Sequence, residues 1–334
     1  MRAAILHSQG QLNSKSLIIE DVERPQPRNQ DVLLKVKACA VCRTDLHIVE
    51  GELKAVRLPL ILGHQVVGEV EEIGTNVSDV SIGDRVGVPW LYWTCGACKY
   101  CTLKLENLCD KPLFTGYSVN GGFAEYMLAK DRFIHRLPPK FDDVHVAPLL
   151  CGGAIGYRSL KLTGLLNEGV GRLGIFGFGS AAHLITPVAI RKGLDVYVFT
   201  RGVSRQELGL KLGAKWAGEP SADPGIKLDA AIVFAPAGWI VIEALKKLDK
   251  AGKVIIGEIH MSPIEKLDYS LIWLEREIKS VANVTRADVR EFLEEAVKSN
   301  IKPDVNVYRL EDVNQALQDL KNGSITGSAV LKIG

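Results

Sequence analysis

Four of the seven cysteines in this 334-residue chain fall together, at Cys95, Cys98, Cys101 and Cys109. They are separated by two, two and seven residues. Four thiolates at these spacings can close a tetrahedral shell around one metal ion, with sulfur at about 2.3 Å. Gly96 lets the first knuckle turn tightly and leaves amides facing sulfur. A shell filled by four protein ligands has no room for water or substrate, so its chemistry is structural, and zinc is the expected metal. Free core thiols, an iron–sulfur cluster and a nucleic-acid-binding zinc ribbon are the alternatives. Free thiols are a poor match to so regular a cluster, and iron–sulfur runs are spaced differently. A ribbon calls for more basic residues than Lys99, Lys104 and Lys111.

Three more residues could make an open site. Cys42 lies in Cys39-Ala40-Val41-Cys42-Arg43-Thr44-Asp45-Leu46-His47, His64 in Gly63-His64-Gln65, and Cys151 in Leu150-Cys151-Gly152. Two Cys and one His form the three-ligand set of a catalytic zinc, with a fourth position for water or substrate. Their spacing alone does not join them, and a lone His after Gly is more often structural or at the surface.

The elements that must position these residues change character along the chain. The first ~150 residues read as short strands between turns, including 32–37 and Val66–Ile73, the latter ended by Gly74-Thr75-Asn76. Beyond ~155, apolar β-rich runs at Leu173–Phe176, Val196–Phe199, Ala230–Phe234 and Lys253–Ile256 alternate with helical stretches. Those helices are expected at His183–Arg191, Arg205–Leu212 and Ile240–Leu248. The alternation predicts βαβ units and a parallel sheet. Two amphipathic helices, Ala287–Lys298 and Glu311–Lys321, and a strand at Ala329–Ile333 follow.

Gly177, Gly179 and Ala182 fit G-x-G-x-x-G/A between a strand and a helix. They allow the tight turn, backbone approach to a pyrophosphate, and close helix–strand packing. The helix N-terminus adds amides and a positive dipole end. Pro187 is expected to kink that helix. An acid about twenty residues on would bind a ribose 2′-OH, yet the run Thr200-Arg201-Gly202-Val203-Ser204-Arg205 holds none. Thr200 with Arg201 and Arg205 suits a 2′-phosphate. NADP(H) is therefore the expected cofactor, with NAD(H) possible if the arginines are merely solvated.

Hydrophobic residues form 47% and charged residues 24% of the chain, ordinary globular usage that excludes disorder. A net charge of +2 argues against nucleic-acid or anionic-membrane partners. No apolar run reaches the ~20 residues of a membrane helix, and His7 and Ser8 interrupt the start too early for a signal peptide. A cytoplasmic protein is expected, in which clustered cysteines bind metal rather than form disulfides.

Taken together, the residues Cys42 to His47, Gly63-His64, the quartet, Gly116-Tyr117, Gly121 to Tyr126, Cys151 and Gly177-Phe178-Gly179 make a specific pattern. It resembles the zinc-dependent alcohol dehydrogenases of the medium-chain dehydrogenase/reductase family, over essentially the whole chain. The resemblance implies two zinc ions per chain: a catalytic one on Cys42, His64 and Cys151, and a structural one on the quartet. Two thiolates would neutralise the catalytic Zn²⁺, which acts as a Lewis acid on the alcohol oxygen and favours alkoxide formation before hydride transfer to the nicotinamide. Thr44 and His47 match a proton relay ending at a surface histidine; alternatively, or in addition, Thr44 caps a helix over Asp45 to Ile48. Asp45 would orient a ligand. Gln65 stands where the family usually has Glu, which removes a charge behind the metal. Trp90 matches an aromatic of the substrate pocket, or is core, and the resemblance assigns Arg43 to the cofactor.

The implied fold is α/β. A Rossmann doubly wound parallel sheet at 152–285 is inserted into a β-rich GroES-like catalytic domain of residues 1–151 and 286–334, with substrate between them. An alcohol dehydrogenase or aldehyde reductase is implied, as a homodimer or homotetramer acting on small alcohols or aldehydes. The rivals are a polyol or sugar-alcohol dehydrogenase and a non-catalytic zinc- and nucleotide-binding subunit. The quartet and Cys151 count against the first, and intact Cys42, Thr44, His47, His64 and Cys151 against the second.

Overall fold

The computed structural model describes residues 1–334. They fall into two compact units, one of Met1–Cys151, Asn283–Glu294 and Pro303–Gly334, the other of Gly152–Ala282 and Glu295–Lys302.

The chain opens with β1 (Arg2–Leu6), β2 (Ile18–Asp21), β3 (Asp31–Val41), α1 (Arg43–Glu50), β4 (Leu60–Ile61), β5 (Val66–Ile73) and β6 (Arg85–Val88). It continues with β7 (Leu91–Trp93), α2 (Lys99–Thr102), β8 (Leu113–Phe114), β9 (Tyr126–Lys130), β10 (His135–Arg136) and α3 (Asp143–Val146). Most of these strands are short because Gly, Pro and Asn punctuate the sequence every few residues. The long one, β3, is the hub: β5 and β9 pair with it antiparallel, and its buried Val32, Leu34 and Val36 help form the core.

The second unit holds α4 (Gly152–Thr163), α5 (Leu165–Glu168), β11 (Gly171–Phe176), α6 (Ser180–Arg191), β12 (Leu194–Phe199) and α7 (Val203–Lys211). After these come β13 (Trp216–Gly218), β14 (Leu228–Val233), α8 (Gly238–Lys247), β15 (Leu248–Ile256) and β16 (Glu277–Ser280). The six strands run in the order β13-β12-β11-β14-β15-β16, all parallel. This is the doubly wound order of dinucleotide-binding sheets. In the central strand β14, Ala230 to Val233 are buried on both faces of the sheet, which is why this stretch reads as a continuous apolar run rather than an alternating one. Helix α6 starts at Ser180, earlier than expected, and continues through Pro187 to Arg191; the proline has no N–H to give to the helical ladder.

The chain closes with α9 (Arg286–Lys298), β17 (Val305–Arg309), α10 (Val313–Asn322) and β18 (Ser328–Lys332). Strand β18 lies between β3 and β17, antiparallel to the first and parallel to the second. No helix is long and apolar enough to cross a membrane.

Candidate functional site: two metal centres and a nucleotide turn

Strand β3 delivers Cys42 in extended conformation to the start of α1, where it is the N-cap. Its Sγ accepts the Thr44 N–H at 3.3 Å, and the Asp45 carboxylate accepts the Cys42 N–H at 2.9 Å. This is a capping box with sulfur in the usual place of a hydroxyl. Thr44 itself therefore lies in the first helical turn instead of capping it. The positive end of α1 favours a thiolate at Cys42.

His64 meets this cap. Its Nε2 lies 3.2 Å from Cys42 Sγ, and its Nδ1 lies 3.2 Å from Asp45 Oδ1. Asp45 and His64 are both completely buried. Asp45 also accepts the Gly63 N–H at 3.3 Å, so one carboxylate fixes the α1 cap, the loop and the ring. Cys151 follows the 3-10 turn Ala147–Leu150 and completes a trio whose ligand atoms all lie within 4.8 Å of one another.

The glycines of the Gly121-Gly122-Phe123 segment explain how His64 is held. Gly121 and Phe123 donate to the carbonyls of Ile61 and Leu62 at 2.8 and 2.9 Å, and Gly122 to that of Gly63 at 2.9 Å. Gly63 has φ +91°, and a Cβ there would lie 2.4 Å from Phe123 Cδ1. Only a residue without a side chain fits both conformation and space.

The charges are those of a metal-ready site. The Cys151 hydrogen bond, against burial and with help from His64, lowers the Cys42 thiol well below its ordinary pKa; the same bond and burial raise Cys151. Burial would lower His64, but the Cys42 thiolate and Asp45 lift it to about 10. Burial raises Asp45. Zn²⁺ would replace the protons held by this trio. With Nδ1 at Asp45, Nε2 is left for the metal, the arrangement that orients a ligating histidine.

The quartet also fits a tetrahedral ion. The Sγ atoms of Cys95 and Cys109 are 3.5 Å apart, and those of Cys95 and Cys101 4.0 Å. Zinc–sulfur bonds of 2.3 Å give an edge of about 3.8 Å. Gly96, at φ +72°, turns the knuckle. The Ala97 and Cys98 amides lower Cys95 to about 6. Lys111 and Cys95 donate their N–H groups to Cys109 Sγ.

His47 departs from expectation. It is only 4% exposed, and its Nδ1 bonds the carboxylate of Glu52, which is largely exposed. The loop after α1 is folded back by Gln9, which donates to Leu53 O at 2.9 Å and accepts the Ala55 N–H at 3.0 Å. Glu52 was missed in the sequence; a carboxylate just past the helix-ending Gly51 was its only signal. Trp90 sets its ring edge-on to His64, centroids 4.8 Å apart, and stacks on Phe114 and Tyr117 at 5.2 and 5.6 Å. It thus borders the trio and belongs to the buried core of its unit at the same time.

In the second unit Gly177 takes φ +90°, where a Cβ would lie 2.8 Å from Phe234 O, Gly179 is the N-cap of α6, and Ala182 is fully buried. At the end of β12, Thr200 is held by Gly218 O at 2.8 Å and by Gln206 Nε2 on its own carbonyl at 2.9 Å. Arg201 is exposed and Arg205 half-buried.

Residues 28–139 match the family described as alcohol dehydrogenase GroES-like domain. The chain is 45% identical to a probable alcohol dehydrogenase of Mycobacterium tuberculosis, over 92% of this chain and 90% of that one. It is 33% identical to an alcohol dehydrogenase of Geobacillus stearothermophilus, over 100% and 99% of the two chains. The alcohol dehydrogenase structure of Aeropyrum pernix superposes with a TM-score of 0.88 at 26% identity, over 99% of this chain and 100% of that one. The chain belongs to the zinc-containing medium-chain alcohol dehydrogenases.

As such a dehydrogenase it has two zinc sites, Cys42-His64-Cys151 for catalysis and the quartet for structure. Cys39, which neither set uses, is buried, its thiol raised well above its ordinary pKa chiefly by burial. Gln65 is buried beside the trio, its carbonyl accepting the Ala40 N–H at 3.1 Å. In this alcohol dehydrogenase, Arg43 is exposed at the first position of α1.

Proposed function

We propose that this zinc- and NAD(P)-dependent alcohol dehydrogenase prefers NADP(H), and that it interconverts small alcohols with aldehydes or ketones. The observation that carries the cofactor choice is the end of β12. Thr200 stands where an acid would reject a 2′-phosphate, and Arg201 and Arg205 follow it. The amides at the start of α6, past Gly177 and Gly179, would hold the pyrophosphate, with Ala182 allowing the helix its close approach. Arg43 would add a further cation for the cofactor.

When bound, zinc supplies Lewis acidity toward the alcohol oxygen. Thr44 Oγ1 accepts the proton released from the substrate hydroxyl while its own hydroxyl proton passes on toward His47. His47 is the acceptor on the far side of the relay, and Glu52 at its Nδ1 fixes the tautomer and opens to solvent. Asp45 holds His64 in register, and Gln65 leaves the far side of the site without an added negative charge. Trp90, braced by Phe114 and Tyr117, forms a flat wall that favours an unbranched or aromatic carbon next to the hydroxyl.

A homodimer or homotetramer is part of the same reading. Edge strand β16 ends the parallel sheet, and Tyr269, Trp273 and Leu274 are exposed in the segment before it, features that a second copy would cover.

The deciding experiment measures kcat/KM for primary, secondary and aromatic alcohols with NADP and with NAD. A clear preference for NAD would overturn the cofactor reading, and turnover of polyols alone would overturn the substrate reading.

A further inference from the structure

The four-cysteine lobe carries one acid bonded far outside it. Glu106 lies in the 3-10 turn Glu106–Leu108, between Cys101 and Cys109. Its carboxylate accepts from Arg286, 180 positions away: the backbone N–H at 3.0 Å and Nε at 2.8 Å on Oε1, and Nη2 at 3.4 Å on Oε2. The two side chains are 13% and 30% exposed. The guanidinium also lies 4.7 Å from the Phe133 ring centre and donates to Arg132 O. Burial works to raise the Glu106 pKa, but the Arg286 bonds and the charge of Arg290 prevail and hold it below the ordinary carboxylate value.

Arg286 is the first residue of α9. Its N–H is one of the helix-terminal donors that no intrahelical carbonyl can reach. The rest of that turn is served locally: Asp288 accepts the Thr285 N–H at 2.9 Å, and Thr285 Oγ1 accepts the Asp288 N–H at 3.1 Å. Glu106 completes the cap and brings a negative charge to the positive end of a thirteen-residue helix. At its other end α9 carries Glu295, which pairs with Arg191 and Lys192.

We propose that Glu106 makes the metal-loaded lobe the N-terminal cap of α9, so that the structural zinc stabilises this helix and not only its own loop. The lobe's own elements, α2 and the 3-10 turn, are four and three residues long. Pieces this short do not hold a shape alone. The position of Glu106 therefore depends on the cysteines being gathered on a metal. The inference rests on the quartet being a zinc site.

The test is hydrogen exchange by mass spectrometry on the intact holoenzyme, with metal analysis of each variant. Glu106→Ala should keep two zinc ions and speed exchange of the 286–289 amides about fivefold, the size of a lost cap. Glu106→Gln, which keeps the shape, should give a smaller rise and serves if the alanine variant misfolds. Cys98→Ser should lose one zinc and speed the same amides, and combining it with Glu106→Ala should add nothing there. Unchanged 286–289 exchange in both Glu106 variants would overturn the proposal, as would additive effects in the combination. If Cys98→Ser keeps both zinc ions, the metal reading of the quartet fails, while the Glu106 variants still decide whether the cap exists.

Discussion

Gly121 runs so close to Gly63 that a Cβ on it would lie 2.0 Å from the Gly63 carbonyl oxygen. The obstacle is backbone, so a side chain at 121 cannot be accommodated by a rotamer change. Gly121→Ala should push the Ile61–His64 segment aside and take His64 away from Cys42. The expected result is one zinc per chain instead of two, loss of turnover, and an intact quartet. Metal analysis beside an activity assay checks it; two zinc ions with full activity would show that the loop can simply shift.

Burial of His47 changes what a relay mutant should do. Bulk water can stand in for a histidine at the surface, but not readily for one that is 4% exposed. Thr44→Ala and His47→Gln should each lower kcat by roughly 10²–10⁴, the usual range for a positioned acid or base. Glu52→Gln should cost less, because the amide oxygen still accepts at Nδ1. Near-wild-type kcat for His47→Gln at neutral pH would remove it from the relay.

His135, a ligand of neither zinc site, gives the enzyme an acid-sensitive point. Burial, then the charges of Arg290 and Arg286, push it down to about 3, with only Glu106 pulling the other way. Below its ordinary value of 6.5 the unfolded chain binds a proton that the folded chain refuses. Stability is therefore lost as pH falls from 6.5 toward 3, by up to about 1.4 kcal/mol per unit. His135→Leu should flatten this limb. Urea midpoints at several pH values for both proteins read it out, and a difference that does not vary with pH would contradict it.

Cofactor choice can be pressed at two positions. The Thr200 backbone is fixed by Gly218 and Gln206, so a new side chain there leaves the turn in place. Thr200→Asp with Arg201→Ile should convert an NADP preference into an NAD preference. Charge-assisted bonds of ~1.5–3 kcal/mol correspond to one to two decades in affinity, trimmed by salt at the exposed Arg201. The ratio of kcat/KM values for the two cofactors decides; an unchanged ratio would mean that the arginine faces only solvent.

Legibility differed from site to site for physical reasons. The quartet was readable because its four ligands sit within one short loop, so spacing alone defines the shell. The parallel sheet was readable because strands covered on both faces must be apolar throughout. The trio was not readable from spacing. Cys42, His64 and Cys151 meet only because Gly121 to Phe123 pair with Ile61 to Gly63 and because Asp45 reaches both cap and ring. The same tertiary origin hid the burial of His47 and its bond to Glu52, which depend on Gln9 folding the loop back. Thr44 looked like a helix cap because hydroxyls usually are; sulfur took that place because Cys42 already stood one residue before the helix.

Strand β18 has a consequence for biosynthesis. It fills the gap between β3 and β17, and its partner in β3 is some 290 positions earlier, as in the pairing of Val41 with Ala329. Every cysteine of both zinc sites has left the ribosome by then, and the whole parallel sheet can already have folded. A nascent chain can thus hold complete ligand sets on a metal-binding unit whose main sheet still lacks an interior strand. Loss of a few residues around 328–332, by premature termination or clipping, would leave the nucleotide-binding half whole, cut β17 off from the rest of the zinc-binding half's main sheet and bare the edge of β3.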